Sequence, residues 1–220
     1  MDARTKIIEQ IKSDGLLPLY YHPDAKQSLE ILRALYDGGI RVIEYTNRGK
    51  EALRNFEFMK KHADQFPELL LGVGTIKDAS AANQFIQAGA DFLVSPGIPE
   101  DVFDVAYEEK ILWIPGCMTV TEIMKAENFG LSFVKIFPGN ILGPSFIQSV
   151  REIFPDISFM PTGGVEPDED NLKEWFNAGV SAVGMGSRMI TKKMMEQKQY
   201  RKIAAAAKET LKVIREVRKL

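Results

Sequence analysis

Phe133-Val134-Lys135-Ile136-Phe137 is apolar at every position but one and is stopped by Pro138. A short run of branched and aromatic residues without polar alternation reads as a strand covered on both faces, as in parallel sheets. Seven other runs share this character. Toward the N-terminus they are Ile111–Ile114, Asp91–Val94, Leu69–Val73, Arg41–Tyr45 and Leu16–Tyr20; toward the C-terminus, Ile157–Met160 and Ala182–Met185. The intervening segments Asp24–Tyr36, Glu51–His62 and Asp78–Ala88 carry apolar residues on one face at helical spacing, for example Leu29, Leu32 and Leu35. Gly38-Gly39, Gly89, Gly130 and Gly179 follow helical segments, where a helix end calls for a left-handed residue.

Strand followed by helix, eight times over, predicts an α/β fold of the (β/α)₈ TIM-barrel type. An N-terminal helix precedes the first strand. An extra C-terminal helix spans Glu196 to Leu220, with Ile203, Ala207, Leu211, Ile214 and Val217 as its apolar side and its Lys and Arg residues in solvent. The length of 220 residues suits one barrel domain over residues 1–220.

A net charge of -2 argues against a nucleic-acid partner. No stretch is long and apolar enough to span a bilayer, and the charged, amphipathic segment Met1–Gly15 lacks the apolar run of a signal peptide. The single cysteine, Cys117, excludes an internal disulfide and fits a reducing compartment. A cytoplasmic protein is expected. With only His22 and His62 available, a zinc site built on histidine is hard to assemble. No metal and no cofactor are expected, although carboxylate-bound magnesium stays open.

In such barrels reactive residues stand at the C-terminal ends of the strands. Lys135 lies inside a run that should be buried. An ammonium without partners is costly there and tends to lose its proton, leaving an amine able to attack a ketone. A structural ion pair, or a side chain reaching solvent, is the competing reading. Glu44 sits in the apolar run Val42-Ile43-Glu44-Tyr45, on the same strand face as Val42. If both faces point inward, Glu44 and Lys135 approach each other and Glu44 can move protons. Arg48, in the loop beyond Glu44, offers a bidentate guanidinium to a carboxylate. Thr162-Gly163-Gly164 and Gly186-Ser187 follow strands seven and eight, where this fold holds phosphate, and the helix N-termini that follow would add favourable partial charge.

The ordered series Ile43-Glu44-Tyr45-Thr46-Asn47-Arg48, Gly72-Val73-Gly74-Thr75, Phe92-Leu93-Val94-Ser95-Pro96-Gly97, Ile114-Pro115-Gly116-Cys117-Met118-Thr119, Val134-Lys135-Ile136-Phe137-Pro138, Pro161-Thr162-Gly163-Gly164 and Gly184-Met185-Gly186-Ser187 resembles the 2-keto-3-deoxy-6-phosphogluconate (KDPG) aldolase family, which includes 4-hydroxy-2-oxoglutarate (KHG) aldolases. The resemblance runs through nearly the whole chain. It implies a Schiff-base aldolase releasing pyruvate from a small-molecule keto-deoxy sugar acid, with Lys135 as the Schiff-base lysine and Glu44 as general acid/base. It further implies that Arg48, Thr75, Pro96 and Phe137 surround the pyruvyl end. Thr162, Gly163, Gly164, Gly186 and Ser187 would hold the distal end and its phosphate. A metal-free cytoplasmic homotrimer is implied too. Tyr20-Tyr21-His22 and Pro138-Gly139-Asn140 depart from the family pattern, where relatives often have an arginine and Pro-Ala-Glu, and both lie on the aldehyde side. The aldehyde and the sugar-acid epimer therefore stay open. Rival readings are a barrel epimerase or isomerase using Glu44 without covalent catalysis, and a non-catalytic sugar-acid-binding barrel.

Overall fold

The protein is described by a computed structural model covering residues 2–219. Its strands are β1 (Leu16–Tyr20), β2 (Val42–Thr46), β3 (Leu70–Gly74), β4 (Phe92–Val94), β5 (Leu112–Ile114), β6 (Gly116–Cys117), β7 (Phe133–Ile136), β8 (Ser158–Pro161) and β9 (Val183–Met185). The helices are α1 (Ala3–Asp14), α2 (Ala25–Asp37), α3 (Ala52–Lys60), α4 (Ala79–Gln87), α5 (Glu100–Glu108), α6 (Val120–Asn128), α7 (Gly139–Val150), α8 (Glu169–Ala178), α9 (Lys192–Glu196) and α10 (Tyr200–Val217). All eight runs read from the sequence form strands, and every strand pair is parallel.

The ladder is not one continuous ring. A curled six-stranded sheet runs β5-β4-β3-β2-β1-β9, and β6-β7-β8 form a second sheet. The expected fifth strand is divided at Pro115, which has no N–H to offer a neighbour. Between β8 and β9 the pairing is a single bridge, Thr162 to Gly184.

Alternation along the strands sorts side chains into two sets. Leu17, Val42, Phe92, Leu112, Phe133 and Met160 meet in one buried cluster, joined by Ile7 and Ile11 of α1. Ile43, Tyr45, Leu93, Trp113, Val134 and Phe159 belong to the other cluster, shared with the surrounding helices. Burial on both faces is why the runs lack polar alternation. Helix α1 thus packs into one end of the sheet interior. It is capped by the Asp2 side chain, which accepts from the Thr5 N–H at 2.7 Å, and is closed by Gly15 at φ +69°. The functional end is the opposite one.

The apolar side expected of the C-terminal helix, from Ile203 to Val217, is buried. The helix itself starts at Tyr200, because α9 occupies residues 192–196 separately; Leu220 lies outside the described residues. Gly39, Gly89, Gly130 and Gly179 take positive φ as expected, whereas Gly38 is right-handed.

Asp14 ends α1, where the helix dipole disfavours a carboxylate. One of its oxygens is buried without a partner, and burial raises its pKa above 3.8. The stability this carboxyl contributes is complete below its unfolded value and is lost as pH rises through the raised folded value. Asp14→Asn keeps an acceptor for Gln10 Nε2, which donates at 3.0 Å. Thermal melts are expected to show the variant more stable than wild type at pH 7, with the difference vanishing near pH 3.

Candidate active site

Because Val42 and Phe133 point into the sheet interior, so do Glu44 and Lys135, two residues further along β2 and β7. Both are buried, with Glu44 1% and Lys135 5% exposed. Among the described residues no carboxylate oxygen lies within 4.0 Å of Lys135 Nζ, so the structural ion pair weighed for this lysine does not form. Its nitrogen instead stands 5.2 Å from the centroid of the Phe137 ring. Glu44 Oε2 is buried with no hydrogen-bond partner. Leaving such an oxygen unsatisfied costs about 1–3 kcal/mol, more when charged, which marks it as held for something other than folding.

Glycine makes the room for this carboxylate. Gly74, inward-facing on β3, lies where an added Cβ would overlap Glu44 Oε1. Gly184 likewise leaves space for Thr162 Oγ1, which is also buried without a partner.

Above this layer opens a cleft of about 350 Å³. Of the residues singled out in the sequence, Arg48, Phe137, Thr162, Gly163, Gly186 and Ser187 line it. Lys135 and Glu44 stand one inward-facing position beneath two of its lining residues, Phe137 and Thr46. Thr75, Pro96 and Gly164 do not line it. Thr75 nevertheless holds φ at +63°, an unfavourable region for a β-branched residue, one residue beyond β3. Pro96 packs its backbone against Gly116, where a Cβ would not fit. Gly164, at φ +73°, abuts Asn140.

Asp168 and Thr191 cap α8 and α9 with their own side chains, accepting from Asn171 and Met194, several residues beyond the glycines. Of these two helices only α9 reaches the cleft, through Met195, beside the loop residues Thr162, Gly163, Gly186 and Ser187.

Tyr20 and Tyr21, placed on the aldehyde side in the sequence, line the cleft, whereas sequence reading missed Leu19, Thr46, Ile190 and Met195. Thr46 carried a signal, since it ends β2. Ile190 and Met195 carried none. Burial pushes the Cys117 thiol up to about 12, so it is no nucleophile at neutral pH. Among the described residues no group of three or more His, Cys, Asp or Glu side chains could hold a metal ion, and no helix is long and apolar enough to cross a membrane.

The family model for KDPG and KHG aldolase matches residues 7–206. A 2-dehydro-3-deoxy-phosphogluconate aldolase of Pseudoalteromonas atlantica is 32% identical, the match covering 92% of this chain and 93% of that protein. The KDPG aldolase of Legionella pneumophila, solved with pyruvate captured at low pH as a covalent carbinolamine intermediate, superimposes with a TM-score of 0.84 at 25% identity, over 92% of this chain and 96% of that one. The Zymomonas mobilis enzyme solved with 3-phosphoglycerate gives 0.83 at 30% identity, over 94% and 95%. With an interior lysine and glutamate under a glycine-lined cleft, and likeness along nearly its whole length, this chain belongs to the KDPG and KHG aldolase family.

Proposed function

We propose that the protein is a Schiff-base aldolase that cleaves 2-keto-3-deoxy-6-phosphogluconate to pyruvate and glyceraldehyde 3-phosphate, and 4-hydroxy-2-oxoglutarate to pyruvate and glyoxylate. The observation that carries this reading is Lys135: a buried lysine with no ion-pair partner among the described residues, beneath an open cleft, on the layer that also holds a glutamate with one buried, unpartnered oxygen.

The free amine of Lys135 attacks C2 of the keto acid. Glu44 donates the proton that lets the carbinolamine lose water, giving an iminium. It then takes the proton of the C4 hydroxyl as the C3–C4 bond breaks, and the bonding pair flows into the iminium to form an enamine. The aldehyde leaves. Protonation at C3 and hydrolysis release pyruvate and restore the amine. Arg48 and Thr75 hold the carboxylate, while Pro96 and Phe137 flank the pyruvyl carbon chain. Thr162, Gly163, Gly164, Gly186 and Ser187 receive the phosphate through hydroxyls and loop N–H groups. The carbinolamine captured in the Legionella enzyme and the 3-phosphoglycerate held by the Zymomonas enzyme support the two ends of this assignment.

The finer architectural reading is that the two sheets act as one (β/α)₈ barrel forming a single domain over residues 1–220. The split of β5 from β6 at one proline and the Thr162–Gly184 bridge favour it. A cytoplasmic homotrimer completes the proposal.

A panel of keto-deoxy sugar acids, including the epimeric 6-phosphogalactonate derivative, with pyruvate detection tests the activity. Sustained release of pyruvate is expected. No turnover on any member would leave only a binding barrel. In the same assay Gly74→Ala is expected to lose about 10²-fold or more, because its methyl displaces the Glu44 carboxylate.

A further inference from the structure

The chain leaving β1 turns backbone carbonyls toward the interior, where each needs a donor. The carbonyl oxygen of His22 receives Tyr45 Oη at 2.9 Å and Asn55 Nδ2 at 3.0 Å, and Ser28 Oγ, at 3.0 Å, divides its one proton between it and the Asp24 carbonyl at 2.9 Å. Asn55 Nδ2 also lies 3.0 Å from the Pro23 carbonyl and 3.3 Å from Tyr45 Oη. Two residues before His22, the Tyr20 carbonyl accepts from Thr46 Oγ1 at 3.3 Å. Asn55 is only 2% exposed, although it sits on a helix face whose other members, Ala52, Phe56 and Met59, are apolar. Burial raises the Tyr45 pKa, which keeps its hydroxyl protonated as a donor.

Tyr21 lies between these two anchored carbonyls and lines the cleft. Its ring packs on Gly49 so closely that a Cβ there would overlap the hydroxyl. Gly49 is the next residue after Arg48, among the described residues the one charged side chain lining the cleft. A chain of contacts therefore leads from Asn55 and Tyr45 through the His22 carbonyl and the Tyr21 ring to the arginine loop.

We infer that Asn55 and Tyr45 are positioning residues: by clamping the His22 carbonyl they hold Tyr21 against Gly49, and so hold Arg48 where it binds the substrate carboxylate. Ordinary apolar packing would fill the same space. Several donors converging on one carbonyl fix the orientation of the loop as well as its burial. The inference rests on the carboxylate role proposed for Arg48.

The test measures the pyruvate concentration that gives half-maximal borohydride trapping. It compares wild type, Tyr45→Phe, Asn55→Leu, Arg48→Ala and the double variant Asn55→Leu/Arg48→Ala. Asn55→Leu is expected to raise that concentration about tenfold and Tyr45→Phe about threefold, roughly the worth of one or two hydrogen bonds. Adduct yield at saturation should stay near wild type. In the Arg48→Ala background Asn55→Leu should add no further shift, because its effect passes through the arginine. An undiminished shift in that background, or no shift in either single variant, overturns the clamp. If Asn55→Leu fails to fold, Tyr45→Phe and its Arg48→Ala double variant give the same comparison. A wild-type protein that is not trapped refutes the Schiff-base reading instead. The clamp is then judged by a crystal structure of Tyr45→Phe or Asn55→Leu: Tyr21 lifted from Gly49 upholds it, and an unmoved Tyr21 and Arg48 overturn it.

Discussion

Replacing Lys135 by alanine is expected to lower kcat/KM for aldol cleavage on the order of 10⁴-fold or more while leaving the protein folded. The loss follows from the chemistry. Without an iminium, the electrons of the C3–C4 bond have no sink, and neither Arg48 nor Glu44 can supply one. The retained fold follows from the surroundings. Among the described residues Lys135 has no ion-pair partner within 4.0 Å, so its removal strands no opposite charge in the interior. Breaking a buried ion pair typically costs several kcal/mol, and no such pair is broken here. Thermal melts of Lys135→Ala should therefore stay close to wild type. Activity close to wild type in this variant would remove Lys135 from the mechanism.

Glu44→Gln should move activity and stability in opposite directions. A neutral amide cannot exchange protons with the carbinolamine or the C4 hydroxyl, and loss of such a group costs about 10²–10⁴-fold in rate. Yet the native carboxylate keeps one oxygen buried without a partner. Burying an amide is less costly than burying a charge, so the variant is expected to gain about 1–3 kcal/mol in unfolding free energy. Steady-state assays beside denaturant melts check both signs. A site kept at the expense of folding gives this trade-off, whereas a carboxylate serving only the core would lose stability with activity.

Much of this was legible in the sequence because charge is conspicuous where apolar residues should be. Lys135 and Glu44 declared themselves by standing in runs that only burial explains, and the glycine loops by their place after strands. The strand runs were legible because covering both faces removes polar alternation. Other features depend on tertiary adjacency and left no local trace. Ile190 and Met195 are ordinary apolar residues that happen to border the cleft. Thr75 gives no sign in its sequence of the left-handed backbone it adopts. The break at Pro115 was readable in principle, since a proline cannot donate to a ladder, but the run around it reads as one strand. Asn55 was readable as a polar residue at an apolar helical position. What it donates to could only come from the folded chain.

The claim on which the rest depends is that the amine of Lys135 becomes covalently bound to the keto acid. Incubating the protein with pyruvate and borohydride, then locating the adduct by peptide mass spectrometry, tests it directly. A single reduced pyruvyl adduct on Lys135, absent from Lys135→Ala, is the expected result. A protein that turns over substrate but yields no adduct, or one modified at a different lysine, would contradict it.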